Sequence, residues 1–313
     1  MMKIEGLIAA TFSAYHKNGL LNLDMIPVLV EKLIDDGISG VFICGTNGEG
    51  PNMTMEERMA VAEAYVKAVN KRILVLVHVG HTSIAESRKL AEHAAQIGAD
   101  AISSVAAFYF KPSSVQNLVD SMAEIASAAP ELPFYYYHIP TLTGVGMDMV
   151  NFLRLSEDKI PNLAGIKYTA STLFEYQSCL NYKNGKYDIL FGFDEMLLPA
   201  LAVGAKGAIG STYTYAAPLY LKIIKYYQDN NHQKARDMQM QLIEMVRCLI
   251  RFSPIPAQRA IMHMLGFDMG SCRLPLTELS NIDYEALKAC LEDVGFFDLL
   301  QQNKTETTDI TSR

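Results

Sequence analysis

No stretch of about 18 uncharged apolar residues occurs anywhere in the 313 residues, so a helical membrane span is excluded. Basic charge is scarce. There are 27 Lys+Arg against 34 Asp+Glu, a net charge of −7, and the longest basic run is Lys71-Arg72, which reads as a solvated turn. Nucleic-acid-binding proteins usually carry a basic patch, so the composition argues against that class. Cysteine is sparse and odd in number. Cys44, Cys179, Cys248, Cys272 and Cys290 form no C-x-x-C pair. This usage suits a reducing cytoplasm better than a disulfide framework, and each reads as a small core residue, Cys44 lying beside a candidate site. The opening MMKIEGLIAATFSAYHKNG is too short and, after Phe12, too polar for a secretory signal. Neither a dinucleotide fingerprint nor a P-loop is present: SAYHKNG follows the first strand candidate, and no Gly-Lys-Ser/Thr follows Gly45–Gly50.

Half of the residues are apolar and 19% are charged, a globular composition rather than a disordered one. Length alone suggests two domains, although α/β barrels of roughly 250 residues form one. Eight short β-rich runs alternate with helical windows: 6–12, 41–46, 73–79, 101–106, 134–140, 163–168, 188–193 and 207–212. Their apolar cores are nearly continuous, as in parallel strands covered on both faces. The windows 53–70, 82–98 and 114–130 are amphipathic. The second opens on a Thr/Ser cap and closes on Gly98, and the third ends at Pro130. Eightfold strand–helix alternation predicts a (β/α)8 TIM barrel over 1–222, with a doubly wound sheet as the alternative. Strand signals stop near residue 216. Two helices in 219–252 and others in 254–266 and 283–299 predict a C-terminal helical extension over 223–300. Residues 301–313 are polar and are expected to fray.

In such a barrel, reactive groups stand at the C-terminal ends of strands. Lys167 ends the sixth, in LAGIKY. Burial would lower its pKa and free the amine as a nucleophile toward carbonyls, or it could snorkel from the strand end. The fifth offers Tyr135, Tyr136 and Tyr137, of which Tyr135 and Tyr137 share a face; any of them could pack or move protons. Gly45-Thr46-Asn47-Gly48-Glu49-Gly50 follows the second and could present N–H groups to a carboxylate or phosphate, while Asn47-Gly48 alone reads as a tight turn. Asp194 and Glu195 follow the seventh strand, either accepting from a polyol or capping the next helix. Ser211-Thr212 ends the eighth.

GTNGEG, FYYYHIP–TLTG, GIKYT, FGFDE and GAIGSTY, in this order and spacing over roughly residues 5–280, resemble the dihydrodipicolinate synthase/N-acetylneuraminate lyase family of pyruvate-dependent class I aldolases. LPFYYYHIPTLTGV followed by GIK is most similar to the sialic acid lyase branch. The resemblance implies that Lys167 forms the Schiff base and that Tyr137 shuttles the proton. It implies that Thr46 and Asn47 hold the pyruvate carboxylate, and that Thr169, Gly192, Asp194, Glu195 and Ser211 hold sugar hydroxyls. It further implies a homotetramer in which Tyr109 enters a neighbour's site, with no metal or organic cofactor. Asn47 departs from the family's usual threonine. Leu142 stands where dihydrodipicolinate synthases carry an arginine for a second carboxylate, which favours a neutral, hydroxylated aldehyde half.

Three alternatives remain at this level. One is an aldolase for 2-keto-3-deoxy sugar acids. Another is a metal-dependent aldolase or hydrolase using His78 and His81, which would need a third ligand. The last is a barrel that binds ligand without catalysis.

Overall fold

The computed structural model describes residues 3–311, with side chains as far as Asn303. Eight parallel strands close a barrel in chain order: β1 Gly6–Ala10, β2 Gly40–Ile43, β3 Leu74–His78, β4 Ala101–Val105, β5 Phe134–His138, β6 Leu163–Tyr168, β7 Asp188–Phe191 and β8 Gly207–Gly210. Closure runs through β1 and β8, from Gly6↔Gly207 to Ala9↔Gly210. Every strand candidate lies on one of these strands, and the (β/α)8 fold with C-terminal helices is the architecture found.

The helices between strands are α1 Met25–Asp35, α2 Met55–Val69, α3 Ile84–Gln96, α4 Val115–Ala126, the short α5 Pro140–Thr143, α6 Met149–Ser156, α7 Leu173–Asn181 and α8 Leu197–Ala202. Their starts are written locally. Thr54 and Glu57 form a reciprocal capping box on α2, and Ser83 and Ser114 accept the N3 amides of α3 and α4. Two cores result. Ile8, Phe42, Leu76, Tyr135, Leu190 and Ile209 fill the barrel, and a larger cluster lies between strands and helices.

α9 Tyr213–Gln228 follows β8, then α10 His232–Leu249, α11 Pro254–Met264, α12 Asn281–Asp293 and α13 Phe296–Thr311. Residue 222, the expected boundary, falls inside α9. That helix starts earlier than its sequence suggests because Pro218 lies within it. Pro218 cannot donate to the Thr214 carbonyl one turn back. Lys32 Nζ donates to that carbonyl instead, at 3.0 Å.

Residues 301–311, expected as a polar tail, lie within α13, which runs to Thr311. Phe296, Leu299 and Leu300 anchor its first turns on the core. Residues 312–313 of that tail lie outside the described residues. The cysteines are not all unpaired core residues. Cys248 of α10 and Cys290 of α12, 42 residues apart, form a disulfide, and Cys272 is a half-buried free thiol. Such a pairing leaves no spacing signal, because helix packing alone brings the two together.

The extension is tied to the barrel by charge as well as by packing. Arg259 of α11 donates to the Glu49 carboxylate and, at 2.6 Å, to the Ser13 carbonyl, while its other terminal nitrogen donates to Met269 at 2.7 Å. Both members of the Arg259–Glu49 pair are buried. Removing one partner of such a pair strands a charge, at about 3–5 kcal/mol. Arg259→Met should therefore lower the unfolding free energy by about 3–5 kcal/mol, and adding Glu49→Gln should recover part of it. Urea melts of the three proteins measure this; a loss below about 1 kcal/mol would place the pair with ordinary surface ion pairs.

Candidate active site

A register shift positions the central side chain. β5 and β6 pair as Phe134↔Leu163 and then Tyr135↔Gly165, so β6 carries one extra residue. Beyond this bulge the inside–outside alternation of β6 is reset. Ile166 and Tyr168 pack in the outer core, and Lys167 faces the barrel axis. Its Nζ lies 3.9 Å from the centroid of the Tyr137 ring and 4.0 Å from that of Phe42. Lys167 is 4% exposed. Burial pushes its pKa down from the usual lysine value; Tyr137 and Asp194 oppose this. A neutral amine is thereby brought within reach of ordinary pH. The ring faces that flank it also favour a cation formed at the same nitrogen.

Lys167 lies in a cavity of about 300 Å³ at the C-terminal mouth of the barrel. Tyr137, Thr46, Asn47, Thr169, Gly192, Asp194, Glu195 and Ser211 line the same cavity. Nine of the ten candidate residues are thus brought together. Tyr109 is not among them. It is 77% exposed, stacked edge-on against Phe110, which is 86% exposed. Asn47 Nδ2 donates to the Ala10 carbonyl at 3.3 Å, which pins the loop after β2 to the end of β1.

Asp194 caps no helix. Its Oδ2 accepts from both the amide and the hydroxyl of Thr212, at 2.8 and 2.7 Å, linking the ends of β7 and β8. A side chain at Gly210 would collide with this carboxylate, a Cβ there meeting Oδ1 at 1.7 Å, so the close approach requires glycine. Burial raises the Asp194 pKa to about 7 against the pull of the two Thr212 bonds. Burial also raises that of Glu195. Thr169 Oγ1 is buried with no hydrogen-bond partner.

His78 and His81 do not make a metal centre. His78 Nδ1 lies 3.1 Å from the Cys44 carbonyl oxygen, and His81 Nδ1 accepts the Ser83 amide at 3.0 Å. Among the described residues no group of three or more His, Cys, Asp or Glu side chains is placed to hold an ion. His138 faces outward as the alternation requires, with its ring 5.2 Å from that of Tyr168.

Sequence reasoning missed the contribution of the extension. Val246 and Leu249 of α10, Ile250 after it, and Pro254 and Gln258 of α11 line the cavity. Gln239 of α10 braces the acidic segment, accepting from Leu198 N at 2.9 Å and donating to the Glu195 carbonyl at 3.1 Å. On α10 these residues follow ordinary helical spacing, which reads only as a packing stripe.

The family model described as the dihydrodipicolinate synthetase family matches residues 3–294. The chain belongs to that family. Among similar curated proteins, an N-acetylneuraminate lyase of Sus scrofa is 37% identical over 309 residues, 96% of this chain and 97% of that protein. The N-acetylneuraminate lyase of Homo sapiens is 37% identical over 299 residues, 94% and 93% of the two chains. A native structure of the N-acetylneuraminate lyase (sialic acid aldolase) from Aliivibrio salmonicida superposes with a TM-score of 0.92 at 39% identity, covering 95% of this chain and 98% of that one.

The raised Asp194 pKa has a definite sign in stability. Between the unfolded value, 3.8, and about 7, the folded state holds a proton that the unfolded state has lost. Stability from this group is therefore full below that window and declines as pH rises through it. Relative to Asp194→Asn, the wild type should lose on the order of a few kcal/mol between pH 4 and pH 7, and the difference should level off above that. Melting of the two proteins across pH tests this. A pH-independent difference would mean that Asp194 is ionised throughout.

Proposed function

We propose that the chain is a class I aldolase that cleaves N-acetylneuraminate to pyruvate and N-acetylmannosamine. The observation that carries this is Lys167, buried between two aromatic faces at the end of β6, in a cavity it shares with Tyr137 and the hydroxyl, amide and acid groups. Similarity to proteins named N-acetylneuraminate lyase supports the choice of substrate.

In this reading Thr46 and Asn47 hold the substrate carboxylate, while the neutral Lys167 amine attacks the C2 ketone and water leaves. The resulting iminium is the electron sink. Tyr137, having given its proton to the departing water, takes the proton of the C4 hydroxyl by way of the substrate carboxylate as the C3–C4 bond breaks. The bonding pair moves to C3 and into the iminium as an enamine, and C4 becomes the aldehyde of the departing sugar. Protonation at C3 and hydrolysis of the imine release pyruvate and restore Lys167. Thr169, Gly192, Asp194, Glu195 and Ser211 hold the sugar. The lysine supplies the sink, so this chemistry calls on neither metal nor organic cofactor.

The assembly and location belong to the same proposal. Tyr109, Phe110 and the partly exposed Phe108 form an apolar surface that suits burial against another copy, in a homotetramer where Tyr109 reaches a neighbour's cavity. The enzyme would act in the cytoplasm. An aldolase for 2-keto-3-deoxy sugar acids is the second reading; it shares Lys167 and Tyr137 and differs only at the distal contacts.

Pyruvate release from N-acetylneuraminate tests the function. Wild type should release pyruvate, and borohydride should trap pyruvate covalently on it; Lys167→Ala should do neither. Tyr137→Phe should slow release by about 10²–10⁴-fold, the span of a lost general acid–base group. Folded wild type that neither releases nor traps pyruvate would refute the aldolase.

A further inference from the structure

Gln258 belongs to the extension rather than the barrel, yet its side chain lines the cavity that holds Lys167. It is 3% exposed. Its Oε1 is buried without a hydrogen-bond partner. A buried amide oxygen left without a donor is costly and rare in a finished core. Gln239, one helix earlier, shows the ordinary case, with both ends of its amide satisfied by backbone.

The surroundings of Gln258 are of one kind. Val246, Leu249, Ile250 and Pro254 give the extension's side of the cavity an apolar wall. The barrel's side is of another kind: the carboxylates of Asp194 and Glu195 and the hydroxyls of Thr169 and Ser211. Carboxyl groups accept from hydroxyls when ionised and donate as well when protonated, which suits a polyol. The substrate proposed above also carries one acetamido group, with an N–H, a carbonyl and a methyl. A primary amide offers the complementary acceptor and donor, and an apolar wall accommodates the methyl.

We propose that Gln258 and the wall from α10 form the acetamido subsite. The Gln258 side-chain oxygen accepts the acetamido N–H, its nitrogen donates to the acetamido carbonyl, and the methyl rests on Val246, Leu249 and Ile250. A half-turn of the terminal amide exchanges oxygen and nitrogen at little cost, so the pairing does not depend on the assigned orientation. The inference rests on the aldolase reading and extends it from the reacting carbons to the group that distinguishes N-acetylated substrates.

The test compares Gln258→Leu with wild type on N-acetylneuraminate and on the analogue bearing a hydroxyl in place of the acetamido group. Borohydride trapping of pyruvate serves as the control for fold and for Lys167. The variant should trap pyruvate as wild type does and lose about tenfold or more in kcat/KM on the acetamido substrate. On the hydroxyl analogue it should change by less than about twofold. Equal losses on both substrates, or none on either, with trapping intact, would overturn the acetamido assignment and leave the aldolase standing. Should Gln258→Leu fail to fold, Gln258→Met, which keeps the chain length, carries the same comparison. Wild type that traps no pyruvate would remove the aldolase and this subsite together.

Discussion

The site depends on an amine held out of water. Lys167 reaches the barrel axis because one extra residue in β6 resets the alternation, and the reset brings a lysine where Ile166 would otherwise point. Once inside, burial favours the neutral form, while the faces of Tyr137 and Phe42 favour a cation. These pulls are not redundant. An amine that attacks a carbonyl must first be neutral, and the nitrogen must then carry a positive charge within the same walls. Burial between aromatic faces serves both stages without a movement of the backbone.

The extension completes the mouth of the barrel. Arg259 ties α11 to Glu49, three residues beyond Thr46, so the loop after β2 and the helices after β8 share a buried ion pair. Glu49 itself sits in the left-handed region at φ 52°, a conformation costly for a side chain and held by this network. Gln239 fixes the opposite rim through Glu195 and Leu198. Thr46, Asn47, Asp194 and Glu195 therefore sit on loops made rigid from outside the barrel. Loops carry function well when a scaffold fixes them.

The barrel was legible because its signal repeats. Eight apolar runs of strand length, each returning after a helical window, leave few other architectures. The candidate residues were legible for a different reason: strand ends are where a barrel keeps its chemistry, and Lys167, Tyr137, Thr46 and Asp194 all fall there. What stayed hidden depends on three-dimensional neighbours. The Cys248–Cys290 bond spans 42 residues with no motif. The start of α9 was masked by Pro218, whose missing donor is replaced by Lys32 from α1, a partner 182 residues away from Thr214. Gln258 was hidden because a lone glutamine on an apolar helix carries no pattern. Its meaning appears only when its buried amide oxygen is found without a partner.

Charge explains why a neutral leaving group suits this cavity. In the proposed reaction the pyruvate half would bring a carboxylate to Thr46 and Asn47 and a positive nitrogen at Lys167. The distal half already contains Asp194 and Glu195, each held toward its protonated form by burial. Another carboxylate there would face these two acids and would find Leu142 where a guanidinium would be needed. Hydroxyls meet no such penalty, since they donate to carboxylates and accept from the protonated form. In the proposed reaction the far wall therefore suits hydroxyls better than a further anion, and finer discrimination would fall to uncharged groups such as Thr169, Ser211 and Gln258.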